Sequence, residues 1–288
     1  MVNKAVPLVA MRAFESAARL GGFKAAAVEL SVTPGAIAQH IKTLENWAGS
    51  PLFIRMTHGV KLTDLGKSVM GDFSDAFDCL GTAMQKLRDN AEPSVIRIVV
   101  STEIAQLWLA SKLPEIRAIN PDISISITVL DHPPNLSRDV FDLSIFFRQP
   151  EDYEFGIEIC QDIIFPVCTP LLGANLGEPS DLAGLIFLHN SASMEDWTQW
   201  LEFAAPGQKI SPMGPSLPLY GLVLQESKNG AGIMMGHEPL VRTSLRDGSL
   251  IAPFPQKKRL SRSLVVETPR PIVEQSLVGR IVEKLCDD

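Results

Sequence analysis

The sequence predicts an α/β protein with two parts, a small helical N-terminal head and a larger α/β body. Three observations support this division. Apolar residues recur at helical spacing through the first 60 residues, a near-heptad pattern follows up to Asn90, and strand-like and helical segments alternate from Val95 onward. The length of 288 residues agrees with two parts, because a single domain commonly has roughly 100 to 200 residues.

Composition and charge restrict the class of protein. Apolar residues make up 45% and charged residues 20% of the chain, which is typical of a globular protein. We find neither an apolar run long enough for a membrane span nor a signal sequence, so the expected location is the cytoplasm, with no membrane partner. The net charge of -7 is uneven: residues 1–63 carry +4 and residues 91–288 carry -9. A basic head on an acidic body is compatible with a nucleic-acid-binding head, but ordinary helical domains also reach a charge of +4.

The head begins with three predicted helices. The apolar spacing from Leu8 to Leu30 predicts two short amphipathic helices that are separated at Gly21-Gly22. Thr33 and Pro34 then predict the N-cap and first turn of a third helix that ends near Gly49. Its inward stripe consists of Ile37, Ile41 and Leu44, and its outward face of Gly35, Ala38, Gln39, Lys42, Thr43 and Asn46.

The outward face of the third helix is a candidate DNA-binding surface. Its small residues permit close approach to a groove, Gln39 can pair bidentately with adenine, and Lys42 can reach a guanine edge or a phosphate. For a lone helix, a polar face that simply meets water is the alternative. The short β-like runs Leu52–Arg55 and Val60–Leu62, however, predict a wing and hence a winged helix-turn-helix. The candidate DNA-binding residues are Thr33, Pro34, Gly35, Ala38, Gln39, Lys42, Arg55 and His58.

A long helix is predicted after Thr63, a plausible N-cap, up to Asn90. Its apolar stripe advances in steps of three and four through Leu65, Val69, Phe73, Ala76 or Phe77, Leu80, Met84 and Leu87. The head has no visible surplus of apolar residues to cover this stripe, so we expect a second copy of the chain to cover it. Packing of the stripe onto its own domain is the alternative.

The body alternates strand-like and helical segments after a break at Ala91–Ser94. Strands are predicted at Val95–Val100, Ile123–Leu130, Leu143–Phe147, Ile157–Val167 and Leu264–Val266, with a helix at Ile104–Ile119. This alternation predicts parallel βαβ units. Gly230 and Gly232 are interpreted as a helix stop and tight turn before a further strand, since they do not fit a dinucleotide-binding glycine pattern.

At this point the order of motifs resembles the LysR-type transcriptional regulators. The resemblance rests on AMRAFESAARL (10–20), FKAAAVELSV (23–32), TPGAIAQHIKTLE (33–45), LFIR (52–55) and LTDLG (62–66). The family commonly has serine where this chain has Ala38, and its wing is often richer in arginine than Met56-Thr57-His58. These departures imply DNA binding that is weaker or tuned to a different sequence. In the body, Asp196-Trp197 and Leu224-Gln225 resemble the branch that contains glycine-cleavage and β-lactamase regulators.

The resemblance implies a domain organisation. It comprises a winged helix-turn-helix at 1–62, a dimerising linker helix at 63–90, and a two-lobed α/β effector-binding domain like periplasmic binding proteins at 91–288. Lobe I would span about 95–163 and 267–288, and lobe II about 164–266. The implied partners are double-stranded DNA with an inverted-repeat operator, a small-molecule effector, and further copies of the chain in a homodimer or homotetramer.

The candidate effector site follows from the rule that ligands of open α/β sheets lie beyond the carboxyl ends of strands. The candidate residues are Ser101, Thr102, Glu103, Asp131, His132, Phe147, Arg148, Thr169, Ser191 and Tyr220. Each also has a structural alternative, such as capping a helix. Because a carboxylate at a helix start repels anions, Glu103 disfavours a simple dicarboxylate. We expect an amine or ring-bearing ligand, with its positive end near Glu103, its flat face near Tyr220 or Phe147 and any acidic group on Arg148. The alternative is that Glu103 only caps its helix.

Other functions have less support in the sequence. No hydrolase, metalloprotease or nucleotide-binding motif occurs, so we predict no enzyme, no catalytic residue, no metal ligand and no cofactor. The four cysteines are expected to be reduced, and Cys160 and Cys168 leave a redox-sensing regulator as an alternative. A regulator of the same fold without an effector is the other alternative. A solute-binding protein would carry an export signal and lack the basic head.

Overall fold

The computed structural model describes residues 6–56, 59–91 and 95–287. The chain forms two compact units, Met1–Ala91 and Glu92–Asp288. Within the described ranges, every helix is too short or too polar to cross a membrane.

The first unit contains a winged helix-turn-helix, which confirms the sequence prediction. Its three helices are α1 (Leu8–Arg19), α2 (Phe23–Glu29) and α3 (Pro34–Ala48). The wing consists of the antiparallel strands β1 (Phe53–Arg55) and β2 (Val60–Leu62). The buried core of this head is formed by Ala10, Ala13, Phe14, Ala17, Ala26, Ala27, Ile37, Ile41, Leu44 and Leu52.

Helix α3 begins and buries one face as its sequence predicts. The Thr33 hydroxyl accepts a hydrogen bond from the Ala36 amide at 3.2 Å, and Pro34 occupies the first turn. Ile37 and Ile41, one turn apart, are at most 2% exposed. Burial of this stripe leaves the opposite face of α3 to solvent.

A long helix, α4 (Asp64–Ala91), completes the first unit. The Thr63 hydroxyl accepts a hydrogen bond from the Gly66 amide and donates one to the Pro51 carbonyl, both at 3.0 Å. A Cβ atom at Gly66 would lie 2.4 Å from the Leu52 carbonyl oxygen, so only glycine allows this approach. The start of α4 is therefore packed tightly against the chain that leads into the wing.

The apolar stripe of α4 divides into two parts. Val69 and Phe73 pack against the head core, and the Phe73 ring lies 5.4 Å from that of Phe14. Leu80, Met84 and Leu87 are 45%, 50% and 64% exposed. The expectation that the whole stripe faces a second copy is therefore corrected at Val69 and Phe73, which the head itself covers.

The body is built on one eight-stranded mixed sheet. In spatial order its strands are β4 (Ser124–Val129), β3 (Val95–Val100), β5 (Leu143–Arg148), β10 (Lys258–Glu267), β6 (Gly156–Val167), β9 (Ile233–His237), β7 (Phe187–Asn190) and β8 (Ser216–Leu217). Strand β3 is parallel to β4 and β5, and β7 is parallel to β8 and β9. The expectation of parallel pairing is correct within these two sets only, because the strands between them pair antiparallel.

The long strands β6 and β10 connect the two parallel sets. They contain 12 and 10 residues and pair with each other. The register of β10 on β6 is irregular between Arg259 and Ser263. The chain therefore passes between the sets along two adjacent strands, and one of these is locally distorted.

Helices cover the faces of the sheet. The segment predicted as Ile104–Ile119 is a continuous helix made of α5 (Thr102–Ile104), a π-helical turn (Ala105–Leu109) and α6 (Ala110–Ile119). The remaining helices are α7 (Pro170–Gly173), α8 (Asp196–Ala204), α9 (Tyr220–Lys228), α10 (Glu238–Arg246) and α11 (Leu277–Cys286), with short 3-10 turns at Pro150–Asp152 and Pro179–Leu182. Gly230, with φ of 82°, forms the predicted turn between α9 and β9.

Candidate functional site

A concave groove runs along the outward face of α3 and reaches the wing. Its volume is about 740 Å³. Gln39, Lys42 and Asn46 expose their side chains on the helix side of the groove, and Arg55 is exposed on β1. The groove therefore combines amide groups, two cations and the small residues Gly35 and Ala38.

Glu45 fixes the wing to α3. Its Oε1 accepts hydrogen bonds from the amides of Leu52 and Phe53 at 2.7 and 3.2 Å. The Phe53 ring also packs edge-on against Phe14 and Phe23, at 5.7 and 5.3 Å between ring centroids. The carboxylate of Glu45 is thus used inside the head, and Arg55 is held in a defined position relative to α3.

The structure brings together most of the predicted DNA-binding residues. Gly35, Ala38, Gln39, Lys42 and Arg55 all line the groove. Thr33, the N-cap of α3, and Pro34, in its first turn, are exposed just outside the lining. His58 lies outside the described residues.

A second cavity, of about 540 Å³, lies in the body where several parallel strands end. We call it the cleft. Its lining residues lie near or just beyond the ends of β3, β4, β5, β7, β8 and β9, or on α9, α10 and β10: Ser101, Thr102, Glu103, Asp131, His132, Pro133, Phe146, Phe147, Asn190, Ala192, Ser193, Pro218, Leu219, Tyr220, Gly221, His237, Leu240 and Arg262. This position agrees with the strand-end rule for ligand sites. Seven of the ten predicted effector residues line it: Ser101, Thr102, Glu103, Asp131, His132, Phe147 and Tyr220.

Three of these seven, Ser101, Glu103 and Tyr220, form internal hydrogen bonds that limit their roles. Glu103 Oε1 accepts a hydrogen bond from the Ser101 hydroxyl at 2.6 Å. The Tyr220 hydroxyl donates to the Met235 carbonyl at 3.3 Å and accepts from the His237 amide at 3.0 Å. Burial raises the pKa of Tyr220 far above its usual value. Tyr220 therefore offers the cleft part of its ring, while its hydroxyl holds α9 to β9.

The other three predicted effector residues do not line the cleft, which corrects those expectations. Arg148 pairs with Glu267 on β10, with 3.2 Å between Nε and Oε2, and donates to the Asp152 carbonyl. The Thr169 hydroxyl caps α7 by accepting from the Leu172 amide at 3.4 Å. The Ser191 side chain is exposed, and its amide bonds to the Leu217 carbonyl as part of the β7–β8 ladder.

A buried ionic network beside the cleft was not predicted from the sequence. Asp162, on β6, is fully buried and accepts hydrogen bonds from His237 Nδ1 and Arg262 Nε, both at 2.8 Å. Asp196, at the start of α8, accepts from His237 Nε2 at 3.0 Å. Four charged groups on four different elements are thus joined in one chain of hydrogen bonds.

The network keeps His237 protonated. Burial alone would lower its pKa, but the carboxylates of Asp162 and Asp196 raise it to about 9. Burial would likewise raise the pKa of Asp162, but His237 and Arg262 lower it below its usual value. At neutral pH two acids and two bases therefore balance, which is the condition under which buried charges are tolerated.

Comparison with known proteins decides the family. Residues 8–67 match the family model described as "Bacterial regulatory helix-turn-helix protein, lysR family". Residues 90–283, more than half of the chain, match the model described as "LysR substrate binding domain". The chain belongs to the LysR family. It is a DNA-binding transcriptional regulator with an effector-binding domain, as the sequence predicts.

Relatives of this LysR regulator include members of the branch that the sequence resembles. It is 30% identical over 258 residues to the glycine cleavage system transcriptional activator of Escherichia coli K12, which covers 88% of this chain and 84% of that one. It is 31% identical over 249 residues to the HTH-type transcriptional regulator y4mQ of Sinorhizobium fredii, covering 86% and 83% of the two chains.

Solved structures show the same fold. The effector domain of AmpR from Pseudomonas aeruginosa superimposes with a TM-score of 0.55 at 17% identity, over 66% of this chain and 95% of that chain. CrgA, a LysR-type regulator from Neisseria meningitidis, superimposes with a TM-score of 0.52 at 18% identity, over 96% and 97%.

Proposed function

We propose that this LysR regulator binds a specific duplex sequence through α3 and the wing, and that a small molecule bound in the cleft alters its action. The observation that carries the proposal is the groove on the head, where Gln39, Lys42 and Arg55 are exposed together. Gln39 is suited to reading a base edge in the major groove of DNA. Lys42 and Arg55 are suited to phosphates or a guanine edge.

The proposed assembly is a homodimer through the second half of α4, and pairing of the bodies would extend it to a homotetramer. Leu80, Met84 and Leu87 form an exposed apolar stripe on that half. Symmetric dimers bind symmetric half-sites, so we expect an inverted repeat in the operator. The protein would act on DNA in the cytoplasm and catalyse no reaction of its own.

The effector proposed for the cleft carries an amine or a ring. Glu103 and Asp131 supply negative charge to the lining, and Phe147 supplies an aromatic wall. The redox-sensing alternative has less support, because burial raises the pKa of the Cys168 thiol to about 11 and so depletes the reactive thiolate.

Selection of binding sites from a random duplex pool with the full-length protein tests the proposal. Enrichment of an inverted repeat, protected in a footprint over both half-sites, is the expected result. Recovery of unrelated sequences would refute sequence-specific binding.

Titration of candidate effectors into the complex with the enriched duplex then tests the effector. If none changes affinity, footprint or transcription in vitro, the alternative of a regulator without an effector is favoured.

A further inference from the structure

The cleft contains a cation that is already oriented. Arg262 lies on β10 within the stretch of irregular register between Arg259 and Ser263. Its Nε donates to Asp162 at 2.8 Å, and its guanidinium carbon lies 5.3 Å from the centre of the Phe147 ring. An arginine held both by a buried carboxylate and by an aromatic face loses little further freedom when it binds a ligand.

The outer end of this guanidinium remains available to a ligand. Among the residues that the structure describes, only Asp162 forms a hydrogen bond or ion pair with the Arg262 guanidinium, and it does so through Nε. The two terminal nitrogens therefore have donors to offer, and 34% of the side chain is accessible. Paired N–H donors of this kind match the two oxygens of a carboxylate.

The same cleft contains negative charge from another part of the fold. Glu103 lies at the start of the helix that follows β3, and only its Oε1 is bonded to Ser101. Asp131, which follows β4, is exposed in the cleft lining. A second carboxylate on a ligand would meet repulsion from these groups, and a second amine would meet repulsion from Arg262.

We propose that the cleft takes a small zwitterion, an amino acid whose carboxylate pairs with Arg262 and whose ammonium group pairs with Glu103. This inference rests on the proposed effector site and narrows its ligand to one chemical class. Arg262 takes the role that the sequence assigned to Arg148. The remaining walls, which include Phe147, Leu219 and Leu240, would receive the side chain of the ligand.

The test compares charge-matched ligands on the full-length protein. The twenty standard amino acids are screened by thermal shift, and each one that binds is then measured by calorimetry. Beside each are measured the amine that lacks its carboxylate and the acid that lacks its amino group. We expect at least one amino acid to bind, and both single-charge analogues to bind at least tenfold more weakly. Equal binding of an amine, an acid or a dicarboxylate would overturn the proposal, and so would a panel in which no amino acid binds.

Three substitutions assign the charges. Arg262→Gln is expected to weaken binding of the amino acid and of the acid analogue tenfold or more, while binding of the amine analogue stays unchanged. Glu103→Gln is expected to weaken binding of the amino acid and of the amine analogue tenfold or more, while binding of the acid analogue stays unchanged. Arg259→Gln removes a neighbouring exposed arginine of β10 outside the cleft lining and should change none of the three affinities. Unchanged amino-acid binding in Arg262→Gln would contradict the assignment.

Two controls separate misfolding and failure of the wider proposal from failure of this one. Arg262→Lys keeps the charge beside Asp162 but lacks the paired donors, so it should fold and still bind the amino acid more weakly than the wild type. Affinity for the selected duplex, measured on the same preparations, reports on DNA binding independently. If the protein binds its duplex and responds only to singly charged ligands, the proposed function stands and the zwitterion proposal is overturned.

Discussion

At the scale of single residues, His237 is an ionisable group of the body that is held on every polar atom of its ring. It is 3% exposed, and its ring nitrogens form hydrogen bonds with two carboxylates, Nδ1 with Asp162 and Nε2 with Asp196. Arg262 also donates a hydrogen bond to Asp162, and the Tyr220 hydroxyl accepts a hydrogen bond from the His237 backbone amide. Because both ring nitrogens donate, the protonated imidazole is the form that this site stabilises.

The stability of the body should therefore depend on pH through His237. Its pKa of about 9 in the folded protein lies above the usual histidine value of 6.5. The stabilisation is fully present below about pH 6.5 and is lost as the pH rises through about 9. Urea unfolding at pH 6, 7.5 and 9 should show a declining free energy of unfolding, by an amount on the order of 1 to 3 kcal/mol.

Two variants isolate this contribution. His237→Gln should be less stable than the wild type at pH 6, and its free energy of unfolding should decline less between pH 6 and 9. His132→Gln, which changes an exposed histidine of the cleft, should preserve it. A decline of equal slope in His237→Gln would contradict the assignment.

Gln39 and Lys42 should differ in how they affect DNA binding. Gln39→Ala is expected to cost about 1 to 3 kcal/mol at the selected site and to relax base choice at one position. Lys42→Gln, if Lys42 contacts a phosphate, should weaken selected and random duplexes alike and reduce the salt dependence by about one counterion. Fluorescence anisotropy over a salt series measures both effects, with Lys67→Gln on α4 as the matched control. Equal loss on selected and random DNA in Gln39→Ala would argue against base reading.

At the scale of elements, α4 differs in burial along its length. Its first half belongs to the head core through Val69 and Phe73, and its second half exposes Leu80, Met84 and Leu87. The spacing of apolar residues predicted the helix and the stripe correctly. It could not predict the division, because that depends on which part of α1 lies beside α4.

Because of this division, substitutions in the second half of α4 should affect assembly, and a substitution in the first half should affect the stability of the head. Leu80→Asp combined with Leu87→Asp should convert the proposed dimer to a monomer with little loss of head stability, because both side chains are exposed. Phe73→Asp should instead destabilise the head, by roughly 3 to 5 kcal/mol if its cost resembles that of truncating a core aromatic residue. Sedimentation equilibrium and thermal unfolding distinguish the two. An unchanged mass in the double variant would show that the stripe is not the interface.

The start of α4 supplies a matched pair of glycines. Gly66→Ala should destabilise the head, because the new Cβ would lie 2.4 Å from a backbone oxygen. Gly71→Ala, in the same helix with no atom within 4 Å of the new Cβ, should stabilise it by roughly 0.5 to 1 kcal/mol. Opposite signs in chemical denaturation are the expected outcome. Stabilisation by both substitutions would contradict the close approach.

At the scale of the whole molecule, the two units differ in how far sequence reasoning reaches. The head follows from local signals: Thr33 and Pro34 mark the start of α3, and Ile37 and Ile41 fix its buried face. In the body, the strand Val95–Val100 was predicted with its observed bounds. Strands β7 and β8 were missed because they are short, and the mixed pairing was missed because strand order depends on contacts distant in sequence.

The candidate sites show the same limit. Glu103 and Asp131 could be predicted because they directly follow strands. Arg262 and His237 could not, since they meet Asp162 only when β6, β9 and β10 become neighbours. The local signal was Asp162 itself, a charged residue directly before the apolar run 163–167 of β6. Such a residue indicates a buried partner without identifying it.

The packing of Gly66, Thr63 and Phe73 has a consequence for the operator. Since the start of α4 packs on the same core as α3, we expect the two helices to move together. In the proposed dimer, the distance between the two recognition surfaces is then set by where the second halves of α4 cross. Each residue by which that crossing is displaced moves a head by about 1.5 Å and turns it by about 100°. The spacing of the DNA half-sites would therefore report the register of the two helices.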